Sequence, residues 1–140
     1  MNLKINLKQI GQRRQKIAPV DFDCTPVPKT LRELIVQTVT SCVNSYNERV
    51  RRGENNGDSL SKNQIEDMAD MGKIAFGINY GGREQELDKA VFNALQAFED
   101  GIYRVFLNDN ELNKLDGKIE LKENDSLTFI RLTMLAGRIW

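Results

Sequence analysis

The sequence predicts an α+β fold: a mixed sheet of about four or five strands crossed by one long helix, with inserted helices following it. Three observations carry this expectation. Period-two alternation marks both ends of the chain, in "LKINLKQ" and in "SLTFIRLTML". Between them, residues 30–52 hold an apolar stripe at spacings of mostly three and four. The final alternating stretch is apolar in both phases, as suits a strand inside a sheet rather than at its edge.

In the first segment Leu3, Ile5 and Leu7 fall on one face and Lys4, Asn6 and Lys8 on the other. Gly11 and "QRRQ" supply a turn or loop. "IAPVDFDC" alternates again, with Val20, Phe22 and Cys24 in one phase. Pro19 suits the beginning of a strand or an edge, because it has no N–H to give to a ladder. The two segments are expected to form a hairpin.

The helix that follows opens on a Thr-x-x-Glu capping box, Thr30 and Glu33, with Pro28 just before it. Leu31, Leu34, Ile35, Val39, Cys42, Val43, Tyr46 and Val50 form its apolar stripe, and Gly53 is a natural stop. "RGENNGDS" is a polar connection. Ser61 and Gln64 make a second capping box, ahead of Ile65, Met68, Ala69 and Gly72 on an inward face. "QELDKAVFNALQAFEDG" predicts a third helix with Leu87, Val91, Ala94, Leu95 and Phe98 inward and Gly101 as its C-terminal cap.

The period then changes. "IYRVFLN" predicts a strand, "DNEL" a turn, and "KLDGKIEL" a connection that includes Leu115 and Ile119. After the polar turn "ENDS", the last strand places Leu127 and Phe129 in one phase and Ile130, Leu132 and Met134 in the other.

Composition narrows the function classes. The chain has 140 residues, enough for one domain with a real core. Its formal net charge is zero, which argues against nucleic acid or an anionic membrane as the main partner. Lys4, Lys8, Arg13, Arg14 and Lys16 are a local basic bias, read as a solvated hairpin and loop or as a small anion-binding patch. No apolar run approaches a membrane span, and the alternating start lacks the apolar core of a signal peptide, so a cytoplasmic location is expected. Cys24 and Cys42 lack metal-ligand spacing and read as small buried thiols. Histidine is absent. That removes the usual general base near neutral pH and any Ser-His-Asp or Cys-His arrangement. No catalytic constellation, metal site or cofactor is expected.

The order of elements carries a resemblance. "YRVFLNDNELNKLDGKIELKENDSLTFIRLTML" resembles the second half of ubiquitin-like domains, and "LRELIVQTV" resembles the start of the helix that crosses their sheet. In that comparison Leu115 is the loop leucine, "KEND" the polar turn and "SLTFIRL" the closing strand. The resemblance implies one β-grasp domain over residues 1–140, with about 54–100 as a helical insertion. It also raises the question of the tail. Ubiquitin-like modifiers and small sulfur carriers end in a flexible Gly-Gly that threads into an adenylating enzyme. This chain reads "AGRIW", with the single Gly137 followed by three residues, two of them bulky and apolar. The expected role is therefore a non-enzymatic ubiquitin-like interaction module with a protein partner. The alternative is a carrier or modifier activated through its C-terminus after trimming to Gly137.

"MGKIAFGINYGGREQ" invites a phosphate-loop reading, since repeated glycines expose backbone N–H groups. Gly72 and Gly77 have the P-loop separation, but Ile78 stands where the mechanism needs lysine. The plain reading is a link between helices. The functional one is a recognition loop presenting Asn79, Tyr80 and Arg83. A second partner-binding candidate is the exposed phase of the last strand, at Ile130 and Leu132.

Overall fold

The computed structural model describes residues 1–10, 20–51, 72, 76 and 85–132. Alternation near the start becomes β1 (Asn2–Ile10), which pairs antiparallel with β2 (Val20–Asp23), Leu3 opposite Phe22 and Ile5 opposite Val20. The expected hairpin partners are thus in place. Their inward phase is buried throughout: Leu3, Ile5, Leu7, Val20, Phe22 and Cys24.

Helix α1 (Leu31–Arg51) begins where the capping residues predict. Thr30 Oγ1 accepts from the Glu33 N–H at 3.2 Å. Glu33 reaches back one residue further than the simple capping box, accepting from the Lys29 N–H at 2.9 Å. The Leu31 and Arg32 N–H groups donate to the carbonyls of Gly117 and Leu115. The helix start is therefore satisfied by the loop packed against it, with no donor left over from these three. Leu31, Leu34, Ile35, Val39 and Val43 are fully buried. Burial of each stabilises the fold by about 1.5–3 kcal/mol. Thr38 is buried too, its hydroxyl donating to the Leu34 carbonyl at 2.7 Å.

Helix α2 (Leu87–Glu99) is the helix expected before Gly101. Gly101 has φ +75°, and its N–H and that of Ile102 close back onto Phe98 and Ala97. That left-handed cap suits glycine, which has no Cβ to strain. Ala90 and Ala94 are buried at the α1 side of the core, while Leu87, Val91, Leu95 and Phe98 are half-buried against it. The earlier expected helix, from Ser61, lies outside the described residues except for Gly72, which is helical and buried.

The chain returns to the sheet as β3 (Tyr103–Leu107), β4 (Asn110–Leu112) and β5 (Ser126–Leu132). "DNEL" was expected to be only a turn. Instead the turn occupies Asn108 and Asp109, and Asn110 to Leu112 pair with β3 as a short edge strand. Three residues are too few to show a period, and the ladder to β3 supplies what propensity does not.

Strand order is β2-β1-β5-β3-β4. β5 lies between β1, to which it is parallel, and β3, to which it is antiparallel. The sheet is thus mixed and its last strand central, as apolar residues in both phases predict. Leu127 and Phe129 enter the core; Thr128, Ile130 and Leu132 take the opposite face.

One aromatic cluster joins the layers. Phe76 meets Tyr103 edge-on, with centroids 5.2 Å apart, and Phe129 at 5.3 Å. Phe98 brings α2 to the same Tyr103 at 5.9 Å. The Tyr103 hydroxyl donates to the Ala94 carbonyl at 2.8 Å, giving a buried phenol its partner.

Candidate functional site

The sheet face turned away from the core collects the outward phases of several strands. Ladder register fixes their neighbours. Ser126 lies beside Lys4, Thr128 between Asn6 and Phe106, and Ile130 between Lys8 and Arg104. Leu132 is opposite Ile10.

This face mixes polar and apolar side chains. Its polar part is cross-linked: Lys4 pairs with Asp21 at 2.6 Å, and the Asn6 amide donates to Ser126 Oγ at 2.7 Å. Arg104 approaches Glu111 at 3.9 Å. These ion pairs are solvent-exposed and contribute little to stability. Its apolar residues are set among polar ones: Ile130 has Lys8 and Arg104 as ladder neighbours, and Phe106 has Thr128 and Glu111. Phe106, Ile130 and Leu132 are half-buried there, on a face that also carries the cationic Arg104.

A polar hub holds the near end of this face. Asn108 takes φ 55° and Asn124 φ 67°, both in the left-handed region that asparagine tolerates. Asn108 exchanges hydrogen bonds with Ser126: its N–H donates to the Ser126 carbonyl at 2.7 Å, and its side-chain oxygen accepts from the Ser126 N–H at 3.1 Å. Asp125 accepts from the Lys122 N–H and from the Asn108 amide. The Asn124 N–H donates to the Asn2 carbonyl at 2.7 Å, which ties the turn to β1. The start of β5 is therefore fixed from both sides, and so is the position of every residue it presents.

Near the start of α1 a shallow open groove is lined by Lys29, Lys118, Ile119 and Glu120. Lys29 and Lys118 suggest an anion, but Glu120 shares the groove, and the neighbouring helix N–H groups are already bonded to Thr30, Leu115 and Gly117. Beside it, Arg32 makes two bonds to Asp116, at 3.0 and 3.4 Å. The guanidinium holds the Asp116 carboxyl below its usual range. Leu115, between these contacts, is buried as a plug under the loop.

Cys24 and Cys42 are both buried thiols. Burial pushes the Cys24 thiol up, away from the reactive thiolate. Among the described residues no group of three or more Cys, Asp or Glu converges as a metal site. No helix among them is long and apolar enough to cross a membrane.

Of the residues singled out from sequence, Ile130 and Leu132 stand together on the outer face of β5. Asn79, Tyr80, Arg83 and Gly137 lie outside the described residues. So do Arg13, Arg14 and Lys16 of the basic bias. Phe106 lies on the same outer face, diagonal to Ile130, and was missed. Its signal was present, since it stands out of phase with Tyr103 and Val105 in "YRVFL". Within the glycine-rich stretch, the side chain of Phe76 belongs to the core.

The described elements define an α+β protein with a five-stranded mixed sheet and helices α1 and α2. No protein-family model, curated protein or solved structure matches the chain.

Proposed function

We propose that this chain is a non-enzymatic interaction module of a cytosolic system, β-grasp and ubiquitin-like in fold. It meets a protein partner through the outer sheet face around Ile130 and Leu132. The observation that carries the reading is the strand order β2-β1-β5-β3-β4 with a parallel β1–β5 pair at its centre and α1 between β2 and β3. The order of elements along the chain, strand pair, long helix, returning strand and closing strand, is the one on which the β-grasp resemblance rests. The role of the outer face is supported by the half-buried Ile130 and Leu132, two residues apart on β5, with the half-buried Phe106 diagonal to Ile130 on β3. Aliphatic and aromatic residues grouped on a rigid sheet form a surface that gains from being covered. The lack of histidine supports a binding role over acid–base catalysis.

The test is affinity capture from the native host followed by mass spectrometry, with the wild type and with Ile130→Asp. A partner retained by the wild type and lost by a folded Ile130→Asp variant supports the proposal. A partner held equally by both removes the outer face from it. An adenylate, thiocarboxylate or covalent conjugate at the C-terminus would instead favour the carrier role.

A further inference from the structure

We draw no further inference here: the strongest candidate, the half-buried guanidinium of Arg131 at the end of β5, whose Nη1 is buried without a hydrogen-bond partner among the described residues, stands on a single side chain, and nothing in the structure shows what covers it.

Discussion

The side-chain amide of Asn47, near the end of α1, clasps the backbone of Gln85, just ahead of α2. Its oxygen accepts from the Gln85 N–H at 2.8 Å, and its nitrogen donates to the Gln85 carbonyl at 3.2 Å. The pair mimics one rung of a β ladder between residues 38 apart in the chain. Asn47 is buried and Gln85 half-buried, so both bonds are partly shielded from water.

Asn47→Ala should therefore leave two backbone groups of Gln85 without these partners. A lost intramolecular hydrogen bond of this kind costs about 0.5–1.5 kcal/mol. Asn47→Asp keeps the acceptor but loses the donor and introduces a charge, so it should also destabilise. Urea unfolding of wild type and both variants checks this. Unchanged midpoints would mean that water replaces the clasp at no cost.

Ile35 is fully buried in the cluster that α1 shares with Leu127, Phe129 and Val105. Ile35→Ala should destabilise by about 2–5 kcal/mol. A thermal melt with no shift would remove the packing of α1 on the sheet.

How far each feature could be read from sequence follows from how many residues repeat the signal. The α1 stripe repeats over more than four turns, so its buried positions from Leu31 to Tyr46 were legible. Thr38 and Asn47 were not, because a polar side chain is excluded from an apolar pattern even where its hydroxyl or amide is satisfied inside. The central place of β5 was legible because Leu127 and Phe129 alternate with Ile130 and Leu132. β4 was not, having three residues. Ala90 is buried beside Ala94, but alanine is small enough to sit on either face of a helix. Of the outer face, Ile130 and Leu132 were legible; the phase of Phe106 against Tyr103 and Val105 was legible too, but only the β3–β5 register, which sets it opposite Thr128, shows what it neighbours.

Tyr103 couples the core to alkaline pH. Burial pushes its phenol well above the ordinary tyrosine range, because the phenolate would lie among Phe76, Phe98 and Phe129 without water. The folded pKa is raised, so the stability it contributes is present below the unfolded value of about 10. It is lost as pH rises above that value, where the unfolded chain releases the proton and the folded one does not. Tyr103→Phe should flatten this alkaline slope. It should also cost about 0.5–1.5 kcal/mol at neutral pH through the lost bond to Ala94. Unfolding free energies from pH 7 to 11 for both proteins check the two effects separately; parallel curves would place Tyr103 in water.

Asp116 has the opposite sign. Arg32 lowers its folded pKa, so its contribution is present above the unfolded carboxyl value of about 4 and lost as pH falls through the folded value. Both side chains are well exposed, which makes the slope shallow and salt-dependent. Asp116→Asn should remove that part of the acid dependence, most visibly at low ionic strength. If the acid limbs of wild type and variant superimpose at low salt, the Arg32–Asp116 pair contributes nothing in solution.

The outer sheet face and the glycine-rich stretch make different predictions about the partner. Ile130 stands on a central strand whose register is fixed by β1 and β3, while its own side chain is on the face away from the core. Ile130→Ser should thus cost far less stability than Ile35→Ala, yet remove apolar area from the proposed binding surface. A residue at the centre of an interface is worth about 2 kcal/mol or more, roughly thirtyfold in affinity. Titrating a captured partner against Ile130→Ser should show a weakening of that order with a nearly unchanged melting temperature. The double change Tyr80→Ala and Arg83→Ala, in the glycine-rich stretch, should bind as the wild type does. The reverse outcome, with Ile130→Ser binding fully and the double variant failing, would move the partner from the sheet to Asn79, Tyr80 and Arg83. Loss in both would mean that one partner spans the two surfaces, and the outer face alone would no longer account for binding.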